Sequence, residues 1–227
     1  SSDEPRIQPI EAGMSVAFAV ESDSAVFLID AGSPGQGDRL AEKLAGFSRK
    51  PLSLIIVTHA HFDHFGGANR LREITGAGVA VHVDDVNDLR AGRTRVPLVH
   101  GWGRLGRPLL PFAEKLLKPR PTEPDIVLHD GERLDTLGLR ATVVHTPGHT
   151  PGSISIMLDN ETAFVSDLVV SRPRDDAQCY YATSWTKLAV SLRRVQKLEP
   201  RLVYSGHSPK PMDAERFASL RPFDPAR

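Results

Sequence analysis

The segment VTHAHFDHFGG, residues 57–67, places three histidines and an aspartate within six positions directly after a run of apolar residues. Burying so many imidazoles and a carboxylate together costs free energy unless a cation or ordered water organises them. The segment therefore predicts a metal-binding loop at the end of a strand. Because alternate side chains of extended backbone share a face, we expect His59 and His61 to meet at one point, and Asp63 and His64 at a second point close by.

Two such points suggest two metal ions, and each ion needs further ligands from elsewhere in the chain. Three candidates stand at predicted strand ends bordered by glycine, proline or serine: His149 in HTPGHTPGS, Asp167 in FVSD and His207 in YSGHS. A carboxylate can bridge two cations, so Asp167 is the natural shared ligand. The remaining histidines are interpreted as structural residues: His82, His100, His129 and His145.

The order of the predicted elements indicates sheets covered by helices, an α/β fold in a single domain over residues 1–227. The run LSLIIVT, residues 52–58, is typical of a strand covered on both faces, and we expect it to end at His59. Strands are predicted at 14–20, 24–30 and 201–207. The predicted helices cover residues 38–47, 66–74, 84–91, from Thr183 or Ser184 to Leu198, and 213–220.

Composition excludes several classes of protein. Lys and Arg together number 28, as do Asp and Glu, so no overall charge draws the chain to nucleic acid. One cysteine excludes an internal disulfide and a multi-cysteine metal site. No apolar run approaches the roughly 20 residues of a membrane span. We expect a cytoplasmic location, with export not excluded because the chain begins at Ser1 without a methionine.

Residues 93–121 depart from this order, with five prolines and seven basic residues against one acid. Such a segment is typical of a lid over a site or of a subunit contact in a homodimer. As a lid, it would bind a small-molecule substrate that has an apolar acyl part and a negative group. Trp102 and Phe112 would supply apolar contact, and basic side chains such as Arg104 and Arg107 would meet the anion.

The motifs THAHFDHFGG, TPGHTPGS, SD and GH, together with LIDAG at residues 28–32, resemble those of the metallo-β-lactamase superfamily. The resemblance implies a four-layer αββα sandwich with a dinuclear site at one edge of its two sheets. It places a first metal on His59, His61 and His149, a second on Asp63, His64 and His207, and Asp167 between them. It also implies that Asp30 braces the histidine loop without being a ligand.

The resemblance implies two divalent metal ions, zinc first, with manganese or iron as alternatives. The expected reaction is hydrolysis by a metal-bridging hydroxide, with Asp63 and Asp167 as catalytic residues and an ester, thioester or lactone of a small organic acid as substrate. Three alternatives remain open: a β-lactamase-like amide hydrolase, a mononuclear iron persulfide dioxygenase, and a non-catalytic ligand-binding relative. The second glyoxalase is disfavoured, because its glutathione site lies in a helical extension and only twenty residues follow His207.

Overall fold

The structure is a computed structural model, and it describes residues 5–95, 98–99, 118–171 and 176–224. Its elements are numbered here along the chain. The strands are β1 Arg6–Ala12, β2 Ser15–Glu21, β3 Val26–Ile29, β4 Leu52–Val57, β5 Gly78–His82, β6 Leu98–Val99, β7 Ile126–Leu128, β8 Ala141–His145, β9 Ile154–Leu158, β10 Thr162–Ser166, β11 Val169–Val170, β12 Asp176–Ala177, β13 Tyr181–Ala182, β14 Leu202–Ser205 and β15 Met212–Asp213. The helices are α1 Gly37–Phe47, α2 Phe62–Phe65, α3 Ala68–Thr75, α4 Val86–Ala91, α5 Trp185–Gln196 and α6 Ala214–Ser219.

Two sheets form the centre of the described chain. The larger sheet has the strand order β1-β2-β3-β4-β5-β7, antiparallel from β1 to β3 and parallel from β3 to β7. Parallel neighbours need a crossover connection, which α1 supplies between β3 and β4 and α3 supplies between β4 and β5. The smaller sheet has the order β15-β14-β10-β9-β8, and α5 is the crossover between the parallel strands β10 and β14.

The sheets pack face to face through aromatic and aliphatic side chains. Phe18 of the larger sheet lies 5.2 Å from Phe164 and 5.1 Å from Tyr204 of the smaller sheet, measured between ring centroids. In β4, Leu54 and Ile56 face this layer, whereas Ile55 and Val57 face the helices α1, α3 and α4. Both faces of the strand are therefore buried, as its continuous apolar run predicted.

A third apolar cluster lies between the smaller sheet and helices α5 and α6, through Leu188, Leu192 and Phe217. The layers are therefore helix, sheet, sheet and helix, which confirms the predicted four-layer α/β sandwich. Helix α5 begins after Ser184, whose hydroxyl accepts a hydrogen bond from the Lys187 amide at 3.3 Å. No helix of the described residues is both long and apolar enough to cross a membrane.

The structure adds one strand to the predicted elements and changes the bounds of several others. Strand β1 was not predicted, because its polar residues and Pro9 break the apolar pattern, but proline is tolerated there since β1 is an edge strand. Strand β4 ends at Val57 and not at His59. The helix predicted over 66–74 begins at Ala68, and the separate short helix α2 precedes it.

Candidate metal centre

The seven predicted donors lie together at one edge of the sandwich, on segments that follow strands of both sheets. The segment after β4 carries two histidines, helix α2 carries an aspartate and a histidine, the β8–β9 loop carries one histidine, and the ends of β10 and β14 carry the last two donors. In that order the donors are His59, His61, Asp63, His64, His149, Asp167 and His207. The carboxyl ends of strands are where α/β folds commonly place ligand sites.

A tight turn, and not strand alternation, brings His59 and His61 together. The amide of His61 donates a hydrogen bond to the carbonyl oxygen of His59 at 3.0 Å, so the chain folds back directly after β4. The prediction that the two imidazoles share a point therefore agrees with the structure, but its stated reason was wrong. The His61 carbonyl then accepts hydrogen bonds from His64 and Phe65, which starts α2 and directs Asp63 and His64 to the other side of the centre.

The donors form two groups. Ligand atoms of His59, His61 and His149 lie within 4.8 Å of one another, and Nδ1 of His61 is 2.9 Å from Nε2 of His149. Ligand atoms of Asp63, His64 and His207 form the other group. There, Oδ2 of Asp63 lies 3.8 Å from Nε2 of His64 and 3.8 Å from Nε2 of His207.

The carboxylate of Asp167 lies between the two groups. Its Oδ2 is 3.3 Å from Nε2 of His149, which belongs to the first group. Its Oδ1 is 3.3 Å from Nε2 of His64 and 3.2 Å from Nε2 of His207, which belong to the second. Oδ2 also lies 3.3 Å from Nε2 of His207, so the carboxylate as a whole contacts both groups of donors.

Four of the five histidines are held by their Nδ1 atoms, so that Nε2 faces the centre. Nδ1 of His64 lies 2.8 Å from Oδ2 of Asp30, and Nδ1 of His149 and of His207 lie within 2.9 Å of backbone carbonyl oxygens. Nδ1 of His59 lies 3.2 Å from the Thr58 hydroxyl. A partner on one ring nitrogen fixes the tautomer and orientation of the other, which is typical of metal-ligating histidines.

Asp30 is buried directly after β3. Besides holding His64, its carboxylate accepts hydrogen bonds from the amide and the hydroxyl of Thr58, each at 2.8 Å. Its backbone has φ of +61°, and Ser166, directly before Asp167, has φ of +46°. Left-handed backbone is unfavourable for residues other than glycine, and such strain is commonly found at functional sites.

The charges of the centre divide along the same two groups. Burial and neighbouring imidazoles lower the pKa of His59 and His61 well below the usual histidine value. Burial also opposes protonation of His207, but the Asp167 carboxylate outweighs it and raises the pKa of His207 to about 9. Burial likewise opposes ionisation of Asp167, yet the nearby histidines hold the pKa of its carboxyl well below the usual range.

Several buried polar atoms of the centre fit a bound cation. Nε2 of His59, Nε2 of His64 and Oδ1 of Asp167 are buried and have no hydrogen-bond partner, which is unfavourable unless another group satisfies them. Gly206 leaves space beside them, because a Cβ there would lie 2.7 Å from Oδ1 of Asp167 and 2.7 Å from the His64 ring. A set of imidazoles and carboxylates suits zinc, iron or manganese.

Comparison with known proteins agrees with this geometry. The family description "Metallo-beta-lactamase superfamily" matches residues 10–207, a range that includes all seven donors. The chain belongs to the metallo-beta-lactamase superfamily. The resemblance of its motifs to that superfamily is thereby confirmed.

The chain is similar to superfamily members whose names denote different functions. It is 34% identical over 129 residues to a hydroxyacylglutathione hydrolase of Pseudomonas aeruginosa, a match that covers 57% of this chain but only 37% of that protein. It superimposes on the crystal structure of BLEG-1 B3 metallo-beta-lactamase with a TM-score of 0.72 at 22% identity, covering 96% of this chain and 98% of the other. For TTHA1623 in a di-iron-bound form, the TM-score is 0.67 at 27% identity, covering 95% and 99%.

One buried residue beside the centre of this superfamily member was missed by sequence reasoning. The carboxylate of Asp85 accepts hydrogen bonds at 2.8 Å from the amide of Ala60, from the amide of Gly152 and from the hydroxyl of Thr150. Asp85 therefore joins the loop of His59 and His61 to the loop of His149. The available signal was the acidic pair Asp84 and Asp85, one residue after β5 and at the same sheet edge as the other donors.

The four predicted substrate-binding residues, Trp102, Arg104, Arg107 and Phe112, lie outside the described residues. Residues 93–95 and 98–99, the described parts at the start of the segment 93–121, lie beside the centre. The Thr94 hydroxyl accepts a hydrogen bond from the Phe62 amide, at the start of α2, at 2.9 Å. Strand β6 pairs with β13, whose Tyr181 carbonyl oxygen lies 2.9 Å from Nδ1 of His149.

Some of the positive charge of residues 93–121 is already paired. Arg93 and Arg95 both contact the carboxylate of the buried Asp88, and Arg120 lies 2.7 Å from Glu73. The excess of basic residues counted from the sequence therefore overstates the charge that this segment offers to a substrate.

Proposed function

We propose that this chain is a dinuclear metal-dependent hydrolase that cleaves an ester, thioester or lactone of a small organic acid. The arrangement of Asp167 is the observation that carries the proposal. Its two carboxylate oxygens lie 3.2–3.3 Å from imidazole nitrogens of two separate donor groups. A carboxylate held in this way is suited to bridge two cations.

The residues present fit two metal ions. His59, His61 and His149 would hold one ion, Asp63, His64 and His207 would hold the other, and Asp167 would be shared. Bound there, two divalent cations lower the pKa of water and polarise a carbonyl oxygen, which is the chemistry that hydrolysis of an acyl bond requires. Zinc is the first candidate, and iron is the alternative that the di-iron form of TTHA1623 favours.

The chain's own groups supply positioning and proton transfer. Asp63 is the most suitable proton carrier, because its carboxylate faces the centre while 12% of its side chain remains exposed. The His207 side chain is 28% exposed, more than those of the other donor histidines. We therefore expect a substrate to approach the centre from the side of His207. Asp30, Thr58 and Asp85 hold the ligand loops in place.

Neither Cys179 nor Ser205 has the surroundings of a nucleophile. Burial and the neighbouring Asp176 raise the pKa of the Cys179 thiol, whereas a catalytic cysteine needs a lowered pKa. The hydroxyl of Ser205 contacts the hydroxyl of Ser171. Both observations support water activated at the metal centre as the nucleophile.

Thioesters are the substrate class with the strongest support, although the second glyoxalase, which is the hydroxyacylglutathione hydrolase, was disfavoured from the sequence. The hydroxyacylglutathione hydrolase of Pseudomonas aeruginosa, whose name denotes a thioesterase, shares 34% identity with the part of the chain that it matches. The match covers only 37% of that relative, so it supports the thioester bond and not the glutathione part of the substrate. The similarity to the B3 metallo-beta-lactamase, at 22% identity, concerns the fold alone. We therefore rank thioesters above esters and lactones, and β-lactams last.

A substrate panel tests the proposal. Purified protein containing two zinc equivalents is assayed on a hydroxyacyl thioester of glutathione, a short-chain ester, a lactone and a β-lactam, beside Asp167→Ala and chelator-treated protein. We expect the zinc-loaded wild type to hydrolyse the thioester, and Asp167→Ala and the chelator-treated protein to be inactive. Full activity of Asp167→Ala at full metal loading, or of the chelated protein, would reject the proposed mechanism.

A further inference from the structure

A second group of metal-ligating side chains lies outside the candidate metal centre. His82 ends β5, Asp84 follows in a turn of 3₁₀ helix, and His145 ends β8. One ring nitrogen of each histidine and one carboxylate oxygen of Asp84 lie within 4.8 Å of one another. The group thus combines residues from both sheets, and the sequence had assigned only structural roles to its histidines.

The carboxylate of Asp84 is equally distant from the two imidazoles. Its Oδ2 lies 3.8 Å from Nδ1 of His82 and 3.8 Å from Nε2 of His145. These distances are longer than a hydrogen bond. They are close to the separation of roughly 3.3 Å between neighbouring ligand atoms that zinc bond lengths of about 2.0–2.1 Å impose in a tetrahedral site. The carboxylate oxygen therefore needs to move by only a few tenths of an ångström, whereas the two imidazoles must rotate to direct their lone pairs at a common cation.

The stacking of the two imidazoles and the charge of His82 both bear on metal binding. Their rings are stacked, with centroids 4.0 Å apart and planes 15° from parallel. Burial, and then the neighbouring His145, lower the pKa of His82 to about 4, so its imidazole is neutral at neutral pH and keeps a lone pair for a ligand bond. Because those lone pairs lie in the ring planes, metal binding must rotate the rings out of the stack.

The two histidines differ in their hydrogen bonds. Nδ1 of His82 accepts only a long hydrogen bond, 3.3 Å, from the amide of Asp84. Nε2 of His145 lies 2.8 Å from the carbonyl oxygen of Pro151, which can only accept, so this nitrogen carries the proton and must release it and leave that oxygen to bind a cation. Asp130 is a further acidic neighbour, and it accepts hydrogen bonds from the His145 amide and from Arg194. That arginine is thus paired with Asp130 and not with Asp84.

We propose that His82, Asp84 and His145 form a peripheral site for one transition-metal ion. Two imidazole nitrogens and one carboxylate oxygen suit zinc, nickel, copper or cobalt, whereas magnesium and calcium prefer sets of oxygen ligands. Asp84 has 50% of its side chain exposed, so the site binds more weakly than the buried centre. It does not depend on the number of ions in that centre or on the reaction performed there.

Zinc counting tests the proposal. Full-length protein with a filled candidate centre is dialysed against stepwise increasing free zinc, and bound zinc per chain is measured for the wild type, Asp84→Asn and His145→Gln. We expect the wild type to bind one equivalent more than either variant at the upper end of the series. Since this difference is compared between variants, it holds whether the candidate centre contains one ion or two.

His129→Gln is the matched control, because His129 lies near His82 but is not one of the three ligands. It is expected to bind as much zinc as the wild type. Asp84 is half-exposed, so Asp84→Asn is expected to fold normally. Equal unfolding temperatures of this variant and the wild type would show that lost zinc does not result from unfolding. Equal zinc in the wild type, Asp84→Asn and His145→Gln would overturn the proposal, as would an equal loss in His129→Gln.

Discussion

Asp85 acts at the scale of a single residue, because its buried carboxylate holds two ligand loops at a fixed separation. Its hydrogen bonds reach Ala60, between two of the donor histidines, and Gly152, in the loop that carries His149. Removing the carboxylate leaves two buried amides without acceptors. Such unsatisfied groups each cost roughly 1–3 kcal/mol.

Asp85→Ala is therefore expected to lower the free energy of unfolding by roughly 2–4 kcal/mol and to speed metal loss to a chelator. Asp85→Asn keeps one acceptor oxygen and should show smaller effects. Denaturant unfolding and the rate of metal release measure both quantities. His129→Gln, at an exposed position outside both groups of metal ligands, is the control for metal release from the buried centre. Wild-type release from Asp85→Ala would show that the carboxylate does not position the loops.

At this scale, the sequence was informative where donors are close in the chain. His59, His61, Asp63 and His64 stand within six positions, and that density alone indicated a metal site. Asp85 could not be identified in the same way, since its partners come from loops 25 and 67 residues away. A hydrogen bond between distant loops leaves no spacing pattern in the sequence.

At the scale of elements, the loop of His149 is fixed against the start of α5. The carbonyl oxygen of Gly148 accepts hydrogen bonds from the amides of Thr183 and Ser184, at 2.7 and 2.9 Å. Gly148 has φ of +139°, and a Cβ at that position would lie 2.4 Å from the backbone nitrogen of Leu188. Only glycine allows the loop to approach the helix this closely.

Gly148→Ala is expected to displace His149 from its group of donors and to reduce both metal retention and activity at least tenfold. Ser184→Ala is the matched variant at the same junction. It removes the helix cap, costs about 1 kcal/mol of stability, and should leave metal retention unchanged. Metal analysis and unfolding of the two variants side by side distinguish the effects. Normal metal content in Gly148→Ala would contradict the account of this junction.

The selection of anionic substrates by residues 93–121 stays a prediction from the sequence. If it is correct, a double substitution of Arg104 and Arg107 by alanine lowers turnover of anionic esters but not of neutral esters, with the molecular mass in solution unchanged. Arg120→Ala is the control, because Arg120 is already paired with Glu73. Unchanged selectivity together with a change in mass would favour the alternative of a subunit contact.

The elements themselves were largely predictable. Alternation and apolar runs indicated β2, β3 and β4, and α5 begins at one of the two predicted caps, Ser184. The edge strand β1 and the turn after Val57 were not predicted. Strand β1 depends on pairing with β2, and the turn depends on a local hydrogen bond from the His61 amide to the His59 carbonyl oxygen. Neither leaves a periodic pattern in the sequence.

At the scale of the whole molecule, the two sheets serve to bring their strand ends to one edge. Asp30 and the histidine turn come from the larger sheet, whereas Asp167 and His207 come from the smaller one. The apolar layer between the sheets, which includes Phe18 and Phe164, therefore sets the separation of the two donor groups. Neither sheet supplies a complete donor set, so a dinuclear centre requires the two sheets to pack in a fixed relative position.

Metal stoichiometry is the most direct test of the central claim that two ions share Asp167. Protein expressed without added metal is passed over a chelating resin that removes weakly bound ions, and metal per chain is then determined by elemental analysis with parallel activity assays. The account predicts close to two tightly bound equivalents in the wild type and a clear loss in Asp167→Ala. A fully active wild-type protein that holds a single iron ion and no second metal would contradict it.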